Sequence, residues 1–225
     1  MRDRSPVTTT ACKLQVRAVS VSFGNRTVLD QVSLDVASQE VVGLLGPSGS
    51  GKSTLLRVIA GILHPDSGQI LADGTDITAM PTHRRRIGFV FQDEQLFPHR
   101  TVAENIEFGL RMSGWGAAGR RARVSELLQL VGLVGFERRA VTDLSGGEAK
   151  RVALARTLAP APRIVLLDEP LTGLDRDLHD QLAIDLAQVL RSSSATAVLV
   201  THDRDEAAMI ADRTVEMSEL NQASE

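Results

Sequence analysis

Short apolar runs separated by polar turns mark the strands of this chain. They are rich in branched apolar residues and are bounded by polar or turn-forming residues. Six of them are predicted as strands: 14–21, 32–36, 41–45, 87–91, 164–167 and 197–200. The later runs show no polar alternation, which is typical of strands that a parallel sheet buries on both faces.

Helical periodicity begins where these runs stop. From Ser53 onward, apolar residues recur at roughly helical spacing over 55–63, and the polar stretch 64–68 ends the pattern. Leucines at four-residue spacing from Leu178 to Leu190 predict another helix between the last two strands. Apolar strands that alternate with helices indicate a mainly parallel sheet with helices on both faces.

The stretch between the fourth and fifth strands has a different, mostly helical character. Thr101 and Glu104 have the spacing of a capping box, which opens a helix. Farther along, residues 124–131 carry an apolar face at helical spacing, and Gly132 is suited to end that helix. This stretch is therefore predicted as an inserted helical unit.

Together these elements predict one domain of class α/β over residues 1–225. Residues 1–92 and 144–225 form its core, a mainly parallel sheet with an antiparallel β portion near the start, and residues 93–143 form the helical subdomain. The chain is long enough to bury a full core, since 43% of its 225 residues are hydrophobic.

Composition narrows the function classes. The formal net charge of −3 argues against a general nucleic-acid binder, whose phosphate contacts need a concentrated positive field. The single cysteine, Cys12, has no partner for an internal disulfide, which fits a reducing compartment. No run approaches the ~20 apolar residues that cross a bilayer, and the N-terminus lacks a secretory apolar stretch. If the protein serves a membrane, we expect it to act through a partner.

The strongest chemical motif is Gly-Pro-Ser-Gly-Ser-Gly-Lys-Ser at 46–53, which lies between a predicted strand and a predicted helix. Glycines let backbone N–H groups turn toward phosphate oxygens, and the helix N-terminus adds partial positive charge. The predicted nucleotide ligands are Gly46, Pro47, Ser48, Gly49, Ser50, Gly51, Lys52, Ser53 and Thr54. Lys52 suits the β- and γ-phosphates and Ser53 suits Mg²⁺. The alternative is a Gly/Ser-rich turn without a ligand.

Two acidic residues, Asp168 and Glu169, end the fifth apolar strand. At the carboxyl edge of a parallel sheet both carboxylates lie toward the nucleotide loop. Asp168 suits the Mg²⁺ shell, and Glu169 suits polarising an attacking water. An ordinary solvated strand end is the alternative interpretation, and the phosphate loop argues against it.

The segment Leu-Ser-Gly-Gly-Glu at 144–148, followed by Arg-Val-Ala-Leu-Ala-Arg at 151–156, closely resembles the signature motif of ABC-type ATPases. The resemblance covers roughly 14–213 and implies a P-loop NTPase (RecA-like) core that binds ATP with Mg²⁺. It implies a catalytic role for His202, which contacts the γ-phosphate, and for Gln92, which senses Mg²⁺ and touches the membrane partner. It also implies that Phe23 stacks on adenine, with a core phenylalanine as the alternative.

In that family the nucleotide lies between two subunits. The resemblance therefore implies a dimer, with a homodimer expected, in which each phosphate loop is completed in trans by residues of the other copy. These residues are Ser145, Gly146, Gly147, Glu148 and Asp175. ATP binding closes the dimer, and hydrolysis opens it.

The chain departs from the family pattern at several positions. Glu148 and Lys150 stand where glutamines are frequent, and Ser145 with Glu148 has the form of another capping box, so we expect Glu148 to be a tolerated helix cap. The segment 38–40 replaces the usual Gly-Glu and calls for a different turn. The tail lacks the usual glycine, and from its shortness we expect no C-terminal regulatory domain.

The stretch 84–110 resembles bacterial importer ATPases for oxyanions, ferric iron, thiamine and polyamines. This implies a membrane permease docked near residues 92–110, an extracytoplasmic binding protein, no nucleic acid, and a peripheral position on the cytoplasmic face of the inner membrane. The arginine runs 84–86 and 120–123 are predicted as solvated faces. The alternatives are an exporter ATPase, a mechanotransmission ATPase, and a soluble ABC protein of DNA repair or translation.

Overall fold

The computed structural model describes residues 12–173 and 176–221, which form two β-sheets and seven α-helices. The strands are β1 (Cys12–Phe23), β2 (Arg26–Ala37), β3 (Val41–Leu45), β4 (Ser67–Ala72), β5 (Thr75–Asp76), β6 (Ile87–Val90), β7 (Ile164–Asp168), β8 (Thr196–Val200) and β9 (Arg213–Glu216). The helices are α1 (Lys52–Ala60), α2 (Val102–Met112), α3 (Ala117–Leu130), α4 (Gly146–Leu158), α5 (Arg176–Ser192), α6 (Arg204–Ile210) and α7 (Met217–Leu220).

The core sheet has the order β6-β7-β8-β3-β9, and each neighbouring pair runs parallel. Residues of β7 alternate between two hydrophobic clusters: Val165 and Leu167 belong to the cluster that includes α2 to α5, whereas Ile164 and Leu166 belong to the cluster that includes α1. The three inner strands β7, β8 and β3 are buried along their whole length and almost entirely apolar, because both faces of the sheet are covered there. The predicted α/β fold with a parallel sheet is confirmed.

The second sheet is antiparallel, with the order β2-β1-β4-β5, and it confirms the predicted antiparallel β portion. The sequence interpretation did not assign β4, because Ser67 and Gly68 have the composition of a turn. Gly68 lies inside β4 at φ +91°, and a Cβ there would come within 2.4 Å of the Ala18 carbonyl oxygen. Only glycine fits this close crossing of β4 against β1.

Two helix ends between β6 and β7 match the sequence prediction: the start of α2 and the end of α3. The Thr101 hydroxyl accepts from the Glu104 N–H, and the Glu104 carboxylate accepts from the Thr101 N–H, so the capping box that opens α2 is confirmed. Gly132, at φ +66°, follows α3. Ile106 on α2 and Leu127 on α3 are fully buried in the cluster that covers the core sheet. The boundaries 93–143 of a separate subdomain remain a prediction.

β9 lies at the edge of the core sheet, beside β3, and is bonded to the turn before β3. In this turn Ser38-Gln39 replaces the usual Gly-Glu, and Gln39 has a φ of +64°. Arg213 of β9 donates to the Glu40 carboxylate at 2.7 Å. The Asn221 side chain bonds the backbone of β2, donating to the Val28 carbonyl and accepting from the Asp30 N–H, both at 2.8 Å. Within 12–173 and 176–221, no helix combines the length and apolarity that crossing a membrane requires.

One arginine of the run 84–86 is not part of a solvated face, so that expectation is wrong for Arg85, which is only 4% exposed. Its guanidinium donates at 2.7–2.9 Å to four backbone carbonyls, those of Val58, Ile59, Thr78 and Met80. Two of these carbonyls lie at the C-terminal end of α1, where helix carbonyls lack partners within the helix. Arg85 therefore joins α1 to the loop before β6, although burial lowers the pKa of its guanidinium.

We expect Arg85→Met to lower the free energy of unfolding by roughly 2–4 kcal/mol, because it leaves buried carbonyls without a donor. Urea titration followed by circular dichroism measures this. Arg84→Met, at an exposed neighbouring position, should change stability by no more than about 0.5 kcal/mol. Equal effects of the two substitutions would contradict a capping role for Arg85.

Candidate active site

Four strand ends meet at one edge of the core sheet. The pairings Leu44 with Val200, Leu199 with Leu167, and Leu167 with Val90 place the carboxyl ends of β3, β8, β7 and β6 side by side. The segments that leave these ends are the loop 46–51, Thr201 with His202, the acidic residues of β7, and Gln92. Parallel strands bring their C-terminal loops to a common crevice, which is where ligands bind in open α/β sheets.

The loop 46–51 depends on backbone conformations that glycine adopts without strain. Gly49 and Gly51 have φ values of +83° and +98°. A Cβ at Gly51 would lie 2.7 Å from the Leu29 side chain and 3.0 Å from the Val28 carbonyl, so the loop packs directly against β2. Gly51 also precedes the first turn of α1, which has no side-chain cap. The uncapped N–H groups of α1 and its dipole suit a bound phosphate.

Lys52 is the first residue of α1 and is only 4% exposed. Its ammonium donates to the carbonyls of Gly46 and Pro47 at 2.7 and 2.8 Å. Burial lowers the pKa of Lys52, and the negative charges of Glu169 and Asp168 oppose that shift. The loop thus holds a cation beside two carboxylates that come from a distant part of the chain.

Ser53 and Asp168 are brought together by the fold. The Ser53 hydroxyl donates to the Asp168 carboxylate at 2.8 Å, although 115 residues separate them. Burial raises the pKa of Asp168, and the bond from Ser53 partly opposes this. A hydroxyl and a carboxylate on one side of a phosphate loop are oxygen ligands of the kind that Mg²⁺ prefers. The Ser50 hydroxyl is buried without a partner in the same loop, so the site fits a polar ligand as well.

Glu169 follows β7 in a left-handed backbone conformation, at φ +46°. Its N–H donates to the Val200 carbonyl at 2.9 Å, and its carboxylate accepts from the Thr172 hydroxyl at 3.1 Å. His202 Nδ1 lies 3.6 Å from Glu169 Oε2. The structure therefore brings Glu169 and His202, two predicted catalytic residues, into contact. Non-glycine residues held in this region of backbone space are frequent at functional sites.

The sequence interpretation missed the side chains that support His202. The Thr201 hydroxyl donates to the Glu206 carboxylate at 2.7 Å, and the Asp203 side chain accepts from the first N–H groups of α6. Glu206 is 2% exposed, and burial raises the pKa of its carboxyl. His179 Nε2 lies 3.6 Å from the Glu206 carboxylate. The sequence signal that could have found Glu206 is its position three residues after Asp203, which is the spacing of a helix cap.

Phe23 and Gln92 are both exposed, at the periphery of the crevice. Phe23 ends β1 with 54% of its surface exposed, so it is not a core phenylalanine. An open cleft continues from there between residues 25–30 and the loop 47–50. Gln92 lies two residues after β6, the strand that borders β7. These positions leave Phe23 free for a flat ligand and Gln92 free for contacts at the strand ends.

The segment 145–148 lies at the start of α4. Ser145 and Glu148 form a capping box, in which the Glu148 carboxylate accepts from the Ser145 N–H at 2.8 Å, so the expected cap role of Glu148 is confirmed. Across the described ranges, no hydrogen bond or ion pair joins Ser145, Gly146 or Gly147 to the phosphate loop. Asp175 lies outside the described residues, as does Leu174.

Comparison with known proteins gives one family. Residues 29–172 match the model of the ABC transporter family. The chain is 54% identical over 204 residues to the "Fe(3+) ions import ATP-binding protein FbpC" of Streptomyces coelicolor, covering 91% of this chain and 59% of that protein. It is 48% identical over 204 residues to the "Sulfate/thiosulfate import ATP-binding protein CysA" of Xanthomonas campestris, covering 89% and 60%.

A third relative is the "Spermidine/putrescine import ATP-binding protein PotA" of Nitrosospira multiformis. It is 47% identical over 208 residues, which cover 92% of this chain and 57% of the relative. The chain thus spans 57–60% of the length of these three relatives.

The cap at the start of α4 predicts a specific dependence of stability on pH. The bond from the Ser145 N–H holds the pKa of Glu148 below its ordinary value. Its stabilisation is therefore full above the unfolded-state pKa, about 4.3, and is lost as pH falls through the lower folded-state pKa. Glu148→Gln keeps an acceptor for the same N–H but has no charge to titrate. We expect the stability advantage of the wild type over Glu148→Gln to shrink as pH falls below about 4.3.

Urea titrations of both proteins across this pH range measure the difference. Glu104 provides a matched case, because it occupies the same capping position at Thr101 and that bond lowers its pKa. Glu104→Gln should change the pH dependence in the same direction. If the wild type and Glu148→Gln lost stability in parallel throughout, the charged-cap interpretation would be wrong.

Proposed function

The chain belongs to the ABC transporter family, and we propose that it is the ATP-binding and ATP-hydrolysing subunit that powers import through a separate membrane permease. The observation that carries this proposal is the 2.8 Å bond between Ser53 of the phosphate loop and Asp168 of β7. That bond holds the end of β7, and with it Glu169, the next residue, against the loop. The phosphate-binding elements and the acidic pair therefore form one site.

In this proposal the loop 46–54 holds the phosphates of ATP. The turned backbone N–H groups and the uncapped start of α1 supply partial positive charge, and Lys52 supplies a full charge. Phe23, exposed beside the cleft at 25–30, stacks on the adenine ring. Ser53, Asp168 and Gln92 are the residues that would hold Mg²⁺. When bound, Mg²⁺ neutralises negative charge that develops on the phosphate oxygens.

Glu169 is the proposed general base. Its carboxylate accepts a proton from a water whose oxygen attacks the γ-phosphorus, the bond from that phosphorus to the bridging oxygen breaks, and ADP and phosphate leave. His202 Nδ1 lies 3.6 Å from this carboxylate, which suits contact with both the base and the γ-phosphate. The left-handed backbone of Glu169 and its bond to the Val200 carbonyl hold it beside β8.

We propose that a second copy completes the site. Ser145 and Gly146 are exposed at the N-terminus of α4, which suits an anion held by a partner. A Cβ at Gly146 would meet no atom of its own chain within 4 Å, and its φ is not in the left-handed region. Nothing within its own subunit therefore requires glycine there. A partner's nucleotide that approaches closely supplies the reason, with Asp175 as a further contact across the interface.

The proposed permease contact is the segment 92–110. Asn105, fully buried, bonds the Phe97 N–H and the carbonyls of Phe97 and Thr101, so this segment holds a defined shape. The Phe97 and Phe108 rings pack 4.6 Å apart. The relatives' names all contain the word import, which favours import over the exporter alternative. We also propose that the transporter includes an extracytoplasmic binding protein. The chain would occupy a peripheral position on the cytoplasmic face of the inner membrane.

We expect Glu169→Gln to bind ATP normally while its turnover falls by at least about 100-fold, because the amide no longer accepts a proton from water. Phosphate release measures turnover, and a fluorescent ATP analogue measures binding. Glu126→Gln, at an exposed position on α3, should keep normal turnover. A Glu169→Gln protein that hydrolysed ATP at the wild-type rate would exclude Glu169 as the base.

The composite site predicts complementation between two defective copies. Lys52→Ala disables its own phosphate loop, and Ser145→Arg places a bulky side chain where the partner's nucleotide would lie. We expect neither variant alone to form an ATP-dependent dimer. A mixture contains pairs in which the loop of the Ser145→Arg copy faces an intact 145–148 segment, and these pairs should regain part of the wild-type dimer and ATPase. Light scattering measures the dimer, and phosphate release measures the ATPase activity.

The matched control is a mixture of two preparations of the same variant, which should regain nothing. If the mixed variants stayed inactive under conditions in which the wild type forms dimers, a site shared between two copies would be contradicted.

A further inference from the structure

A short turn directly after β7 holds the proposed base. The Thr172 N–H donates to the Glu169 carbonyl at 3.3 Å, and the Thr172 hydroxyl donates to the Glu169 carboxylate at 3.1 Å. Thr172 therefore bonds both the backbone and the side chain of Glu169. The left-handed backbone of Glu169 is strained and persists only when its surroundings hold it.

Lys150 holds this turn from α4. Its ammonium donates to the Thr172 carbonyl at 2.8 Å. Lys150 also lies near the carboxylates of Glu94, Glu206 and Asp93, whose negative charges favour its protonated form, whereas burial lowers its pKa. The carbonyl of Thr172 is the hydrogen-bond partner of this partly buried ammonium, so the interaction is directional rather than a diffuse attraction between charges.

These contacts form a continuous chain from α4 to the carboxylate of Glu169. We propose that Lys150 is a positioning residue for ATP hydrolysis, which fixes Thr172 so that the Thr172 hydroxyl orients the Glu169 carboxylate. This inference rests on the proposed function, because it assigns Glu169 the role of base. Among the described residues, no hydrogen bond or ion pair joins Lys150 to the phosphate loop or to the ligands proposed for Mg²⁺.

Because Lys150 lies in α4, its bond to Thr172 also connects Glu169 to the other contacts of α4. The same helix begins with the Ser145 cap, and at its other end Arg156 donates to the backbone carbonyls of Glu94 and Gln95. The turn that carries Glu169 is thus bonded to a helix that also contacts the segment after Gln92. A shift of α4 changes the position of Thr172 through Lys150. The position of the Glu169 carboxylate therefore depends on what α4 contacts.

Steady-state ATPase kinetics of the full chain test the positioning role. We expect Lys150→Met to lower kcat by about tenfold, since a base displaced by a fraction of an ångström loses its geometry, while KM for ATP stays within about twofold. Lys150→Arg retains a donor and should keep most of the activity. Lys13→Met is the matched control, because the Lys13 ammonium also donates to a protein oxygen, on Asp73, outside the crevice. Its kcat should match the wild type.

A double-mutant cycle tests whether Lys150 acts through Thr172. Thr172→Val removes the hydroxyl that donates to Glu169 but keeps the carbonyl that Lys150 bonds, and Thr172→Ser should restore the effect of the hydroxyl. If the lysine works by orienting that hydroxyl, Lys150→Met should lower kcat no further in a Thr172→Val background. Additive losses, or a kcat of Lys150→Met within twofold of the wild type, would overturn the proposal.

Amide hydrogen exchange provides a readout that does not need hydrolysis. Peptides that contain Thr172 should exchange faster in Lys150→Met than in the wild type, because the Thr172 N–H bond to the Glu169 carbonyl opens more often. Lys13→Met should leave this exchange unchanged. Unchanged exchange in Lys150→Met would count against the link. If Lys150→Met exchanged faster but the wild type showed no ATPase activity, the link would stand and the proposed function would be refuted.

Discussion

The common register of four parallel strands is the constraint on which the site depends. Because β3, β8, β7 and β6 pair so that their carboxyl ends coincide, segments far apart in sequence leave the sheet at the same edge. A shift of one strand by a single residue would exchange its two faces and move its last side chain away from its neighbours. The apolar cover on both sides of the sheet prevents that shift, since each face of β7 packs into a different cluster.

The helix ends show how stability and function are divided within this fold. α2 and α4 begin with complete capping boxes, at Thr101 and Ser145, which satisfy their first N–H groups and stabilise the helices. α1 begins at Gly51 without a side-chain cap, and its N–H groups stay available at the phosphate loop. At the other end of α1, Arg85 bonds the last carbonyls and joins the helix to the loop before β6. The helix is thus held by its C-terminus and by its buried face.

The bonds around β7 connect the two acidic residues to separate parts of the molecule. Asp168 accepts from Ser53 of α1, and Glu169 accepts from Thr172, which Lys150 holds from α4. The end of β7 is therefore linked by hydrogen bonds both to the phosphate loop and to α4, the helix that begins at Ser145. This division suits the proposed function, in which nucleotide binding and assembly with a second copy control one hydrolysis step.

Local patterns alone established most of the elements and the motif residues. Apolar runs, helical spacing, two capping boxes and the glycines of 46–51 act over a few residues, so their chemistry is readable without the fold. Tertiary structure decided which distant groups meet. Gly68 lies in a strand because β1 crosses it, and Arg85 is buried because four carbonyls surround it. Lys150 reaches Thr172 because α4 packs against β6, the strand that pairs with β7. Such contacts depend on strand order and helix packing, which span the whole chain and leave no local pattern.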